Sequence, residues 1–187
     1  DVHPAEQVTD PVETDNNYPL AGVPVSMAVR RASDYAVRLV PVQIGSGGPT
    51  GLVSPGNANA FLEETHRMFP LPGVDIQVRS VFTSSYGPLM PGNANGAWSG
   101  TLAELNVLRL MEGTGRSYYG VVPRTYSSGI AGMGYVGGKT AIGWDDLALA
   151  GEIAAHEFGH NWGRRHAPCG GPGGPDPSYP YVGGTIG

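Results

Sequence analysis

Charge is scarce in this chain. Only 14% of its 187 residues are Asp, Glu, Lys or Arg, and the 11 basic residues are outnumbered by 16 acids. A net charge of −5 offers no basic footprint for a phosphate backbone, which argues against nucleic acid as a partner. Cysteine is nearly absent as well. Cys169 alone cannot close an internal disulfide, so it leaves the redox compartment open. No apolar run approaches the roughly eighteen residues that cross a bilayer, and no membrane span is expected. Gly (30) and Pro (17) are plentiful, yet 40% of the residues remain apolar, which fits a loop-rich globular domain and not a disordered one. Low charge with abundant Gly, Ser, Thr and Tyr suits a secreted, extracellular protein. The chain starts at Asp1 with no signal-like apolar segment, which reads as a processed product or an excised piece.

Residues 1–20 carry Asp1, Glu6, Asp10, Glu13 and Asp15 without a Lys or Arg, and read as an acidic linker or processed segment. The first strand signal is Ala36–Ile44, where Pro41 favours a sheet edge or a bulge. Asn57 or Asn59 is placed to cap a helix over roughly 58–69, with Phe61, Leu62, Thr65, Met68 and Phe69 on its apolar face and His66 on its surface. Val74–Phe82 alternates as one strand with a wet face. Pro91–Gly96 echoes Pro55–Ala60, the same turn-and-cap chemistry used twice before a helix. Thr101 and Glu104 form a capping box that opens a helix to about Glu112. Strands follow at Tyr118–Val122 and Lys139–Trp144, then a helix over about 147–162 capped by Asp145 or Asp146; capping explains that acidic pair without a calcium ion. From Pro168 onward 12 of 20 residues are Gly or Pro, so no regular element is expected there. The order β-α-β-α-β-β-α implies an α/β fold with a mostly parallel twisted sheet and flanking helices.

The last helix carries the chemistry. His156-Glu157-Phe158-Gly159-His160-Asn161-Trp162-Gly163-Arg164-Arg165-His166 reads H-E-x-x-H-x-x-G-x-x-H. Residues four apart on a helix lie about 40° apart around the axis and one turn apart along it, so His156 and His160 can face one ion. Glu157 sits roughly 100° away, within reach of a water on that ion but poorly placed to ligate it. Gly163 lets the chain leave through a left-handed turn, which can swing His166 back as a third ligand. Three neutral nitrogens and one open position describe a catalytic Zn2+ site. A core helix with hydrogen-bonded histidines could explain the first pair, but not Gly163 and His166 at fixed offsets as well.

With this motif in view, the chain resembles the metzincin zinc metallopeptidases, matching their elongated zinc motif at every fixed position. Tyr135-Val136-Gly137-Gly138 and Ile142-Gly143 look like the adamalysin (reprolysin-like) branch, while Ala167, just past the third ligand, fits none of the common branches. The likeness covers mainly residues 118–166. It implies a catalytic domain over 21–187, zinc held by His156, His160 and His166, Glu157 as catalytic base, a protein or peptide substrate, and an exposed sheet edge above the cleft. That family also places a methionine turn downstream of the third ligand. Met27, Met68, Met90, Met111 and Met133 all precede it here, so the lower subdomain is expected to be missing or to continue in a longer parent chain. A non-catalytic zinc-containing binding module, or an inactive fragment of a protease, is the competing reading.

Residues 132–140 hold two decoys. Gly132-x-Gly134-x-x-Gly137 fits a dinucleotide fingerprint, but a strand follows where that motif needs a helix. Gly138-Lys139-Thr140 resembles the end of a phosphate loop whose first glycine would fall on Met133. This stretch reads instead as an edge strand that pairs with an extended peptide, its glycines giving substrate room to approach. Cys169 lies too close to His166 for a comfortable fourth ligand, and Tyr179 and Tyr181 read as loop aromatics.

Overall fold

In the segment expected to begin at Ala36, side chains of both parities are apolar: Val37 and Leu39 on one face, Val40, Val42 and Ile44 on the other, all buried. A strand apolar on both faces belongs inside a parallel sheet. The computed structural model, which describes residues 32–181, has this strand (β1, Tyr35–Ile44) in the interior of a six-stranded sheet. The acidic segment over 1–20 lies outside the described residues. With β2 (Val74–Val78), β3 (Phe82–Ser84), β4 (Ser117–Val122), β5 (Gly132–Gly134) and β6 (Thr140–Trp144), the order is β2-β1-β4-β6-β5, and β3 also pairs with β1. Every pairing is parallel except that of β5 with β6.

Helix α2 (Ala97–Glu112) covers one face, packing Trp98, Leu102 and Leu105 on Val42, Tyr118 and Ile142. On the other face, α1 (Glu63–Met68) and α3 (Ala150–Asn161) enclose Phe61, Tyr119, Val121 and Phe158. The α/β class and the mostly parallel sheet with flanking helices are as the element order implies.

Four local expectations are corrected. First, Pro41 is in neither an edge strand nor a bulge of its own. Leu39 accepts from Arg79 N–H, β3 resumes pairing at Val42, and Pro41 falls in the gap, where its missing N–H leaves nothing unpaired.

Second, Val74–Phe82 is not one strand. From Leu39↔Val78 to Val42↔Phe82, β1 advances three residues while its neighbours advance four. The extra residue is a bulge-like break that reverses the facing. Ile76 and Val78 therefore pack on the α1–α3 side, while Phe82 packs on the α2 side, although all three share one parity.

Third, neither expected cap forms as written. The first helix is a 3-10 turn (Ala58–Phe61) followed by α1, without a side-chain cap, and Met68 is exposed. Helix α2 starts four residues before Thr101. Asn93 Oδ1 accepts from Trp98 and Ser99 N–H, and Asn95 Oδ1 from Ala97 N–H. Thr101 is buried, its hydroxyl 3.0 Å from Ser84 Oγ, and Glu104 accepts from Ser84 and Ser85. His66 is exposed, as expected.

Fourth, α3 begins at Ala150, three residues later than expected. Asp146 Oδ1 accepts from Ala148 N–H ahead of the helix, while Asp145 accepts from Leu52 and Arg124 N–H and so ties two loops together. Arg124 pairs with Asp146 and lies 5.0 Å over the Trp144 ring.

Candidate metal centre

Helix α3 is held from behind. Ala154, Ala155 and Phe158 are buried against the sheet. Phe158 stands edge-on to Tyr35 at 5.4 Å and tilted against Tyr119 at 5.3 Å, and Trp162 lies 4.9 Å from Tyr35 and 4.5 Å from Phe69. Phe158 is about 200° around the helix from His156. Aromatic packing on one side thus turns the histidines outward on the other. Asn161 locks the end of α3 by donating to the carbonyls of Tyr135 and Thr140, and Gly137 N–H donates to the His160 carbonyl.

The helix stops as its glycine predicts. Gly163 has φ +85°, its N–H bonds the His160 carbonyl at 2.8 Å, and Arg164 N–H bonds the Gly159 carbonyl at 2.9 Å. These two bonds are a Schellman motif. The chain then turns so that His166 comes back against the two helical imidazoles. His166 bridges to Pro175, and its carbonyl accepts from Asp176 N–H.

The three histidines lie close enough to bind one metal ion. His166 Nε2 is 3.2 Å from both His156 Nε2 and His160 Nε2. Four-coordinate bonds of about 2.0–2.1 Å would set ligand nitrogens about 3.3–3.4 Å apart, close to the two separations made by His166. The opposite ring nitrogens explain the orientation. His160 Nδ1 lies 2.7 Å from the Arg164 carbonyl and His166 Nδ1 2.8 Å from the Gly173 carbonyl. A carbonyl only accepts, so each Nδ1 carries the proton and each Nε2 keeps its lone pair for a ligand. Burial, then its two histidine neighbours, hold His156 below its usual pKa. Lone pairs converging at this distance repel one another unless a cation lies between them, and the donor set fits a borderline-soft metal.

Glu157 is 5% exposed, and its Oε2 is enclosed without a hydrogen-bond partner. Burial pushes its carboxyl up to about 8; a cation on the triad would pull it back down. Its space comes from β5. A Cβ on Gly132 would meet Glu157 Oε1 at 2.7 Å, and one on Gly134 would meet the Glu157 carbonyl at 2.9 Å. These glycines therefore face Glu157, not an incoming substrate, which corrects the reason expected for them. They are also why 132–137 imitates a nucleotide fingerprint.

The histidines and Glu157 line one open cleft of about 420 Å³, with Ile130, Met133 and Val136 along the β5 side and Arg165, Gly173 and Gly174 opposite. Cys169 is exposed and contributes nothing to the triad. The structure brings together the three histidines that the sequence singled out, and adds two carbonyls that orient them, which a sequence does not display because a backbone acceptor has no side-chain signature. No protein-family model matches this chain, and no curated protein does.

Proposed function

We propose that this chain is a zinc-dependent endopeptidase of metzincin type, with His156, His160 and His166 as ligands and Glu157 as general base. One observation carries the reading: three converging imidazole nitrogens and an unpartnered carboxylate share a cleft open to solvent. A purely structural metal site closes its coordination and needs no buried acid beside it. Zinc bound to the triad supplies a Lewis acid that polarises a peptide carbonyl and brings the pKa of water toward about 7.

The remaining work falls to this chain's own atoms. Glu157 takes the proton of the attacking water and delivers a proton to the departing amine nitrogen. The glycines of β5 give the Glu157 carboxylate the space it occupies, since a Cβ at Gly132 or Gly134 would crowd it. Helix burial and the Nδ1–carbonyl bonds keep the ligands oriented before substrate arrives. Among the described residues strand β5 pairs only with β6, and its outer edge would serve an extended peptide, whose main chain it would align with the cleft.

The test is Glu157→Gln in the zinc-loaded chain, assayed against a denatured protein with and without chelator. We expect zinc content to stay at one equivalent while chelator-sensitive cleavage drops by about 10²–10⁴-fold. Cleavage at the parent rate with zinc bound would remove Glu157 from the mechanism. Zinc binding without any chelator-sensitive cleavage by the parent chain would make the site a non-catalytic binding module.

A further inference from the structure

Among the described arginines, Arg38, Arg67, Arg79, Arg116 and Arg124 are ion-paired, and Arg109 donates to Asn106 and Thr140. Arg164 and Arg165 have no such partner among the described residues. They differ in place. Arg164 Cβ lies 4.0 Å from the Cβ position of Gly159, over the helix end, whereas Arg165 lines the cleft beside the histidines.

Among the described residues Arg165 is the only Arg or Lys on the cleft wall, and it is exposed. Its root is fixed on both sides. The Schellman turn holds Arg164, and the bonds to Gly173 and Asp176 hold His166. Among the described residues the only acid lining the cleft is Glu157, already buried against β5. Ile130, Met133 and Val136, which also line the cleft, are apolar and cannot neutralise a guanidinium.

We infer that Arg165 is a specificity-determining residue, selecting peptides with Asp or Glu within about two residues of the scissile bond. The reach follows from geometry: an extended peptide advances about 3.3 Å per residue, and Arg165 sits next to a metal ligand in sequence. On an open convex surface an arginine–carboxylate pair contributes little, because water screens it. In a concave cleft the bound peptide displaces that water, and the planar guanidinium can take a carboxylate with two parallel N–H donors. The inference rests on the endopeptidase reading.

The experiment uses the zinc-loaded chain and matched peptides that differ only in Glu versus Gln, placed in turn at each of the two positions on either side of the cleaved bond. At one position or more, the Glu peptide is expected to have a kcat/KM about tenfold higher, a preference that shrinks as salt is added. Arg165→Ala should bring the Glu/Gln ratio close to one, Arg165→Lys should restore part of it, and Arg165→Glu should favour a Lys peptide instead. Zinc content and circular dichroism verify that each variant is folded. If the wild-type chain cleaves Glu and Gln peptides equally at every position, in a chelator-sensitive way, the role of Arg165 is overturned and the endopeptidase reading stands. If neither peptide is cleaved in a chelator-sensitive way, the endopeptidase reading falls and this inference falls with it. Because the wild-type comparison and its salt dependence need no variant, a misfolded Arg165→Ala protein would not rescue the idea.

Discussion

At the scale of single residues, the site is decided by what stands behind each functional atom. The Arg164 and Gly173 carbonyls choose the tautomers of His160 and His166, and the glycines of β5 choose the position of Glu157. This second dependence can be measured. In Gly132→Ala the new methyl would lie 2.7 Å from Glu157 Oε1 and 2.8 Å from Ile153 Cγ2, so the carboxylate has to move. Overpacking of this kind costs about 1–3 kcal/mol, and we expect chemical denaturation to show it alongside a large fall in kcat. Gly92→Ala is the control. A Cβ there meets nothing within 4 Å, and both stability and rate should be nearly unchanged. A Gly132→Ala protein with parental activity would separate β5 from the base.

At the scale of elements, α2 shows what a sequence displays and what it hides. Its existence and its end at Glu112 agree with the helix expected from Thr101 and Glu104. Its start does not. Thr101 and Glu104 have the spacing of a capping box, yet both are used across the fold by Ser84 and Ser85, and Asn93 does the capping from outside the helix. Asn93→Ala should therefore cost about 1 kcal/mol, measured as a lower urea midpoint.

The other end of α2 gives a pH dependence. Glu112 accepts from Arg38 at 2.8 Å, from Arg79 at 2.7 Å, and from Tyr118. Partial burial alone would raise its pKa, but these donors outweigh it and hold the carboxyl below 4.5. A carboxyl depressed in the folded state stabilises above its unfolded pKa and loses that contribution as pH falls through the folded value. The stability difference between the wild-type chain and Glu112→Gln should thus be full near neutral pH and shrink below about pH 4.5. Urea titrations at several pH values would show it, and a difference independent of pH would refute the assignment.

The bulge between β2 and β3 was equally hidden. Val74, Ile76, Val78 and Phe82 share one parity, so only the spatial register reveals that Phe82 has changed faces. By contrast, the convergence of His156, His160 and His166 was legible, because four-residue spacing on a helix and a glycine turn after it depend on short, fixed offsets.

At the scale of the whole molecule, the histidine triad joins helix α3 to the irregular segment that follows it. Helix α3 belongs to the packed sheet, while the segment from Ala167 to Tyr181 has no regular strand or helix and is joined back mainly through His166. Binding that favours the folded chain must stabilise it. With free zinc at a hundred times its dissociation constant, the gain is about 2.7 kcal/mol, and a domain of this size gains about 2–4 °C in Tm per kcal/mol. We expect chelator to lower Tm accordingly, and His166→Ala to abolish most of the difference. An unchanged Tm on chelation would show that the triad holds no metal under those conditions.

The division of the ligands between two kinds of support has a kinetic meaning. His156 and His160 ride on a helix that cannot shift without disturbing Phe158 and its aromatic neighbours, so they form a fixed two-pronged seat. His166 is a latch, closed by the Gly173 carbonyl and by the backbone bond to Asp176. A metal bound by all three histidines would therefore be released by movement of the His166 turn, without any disturbance of the sheet beneath the helix.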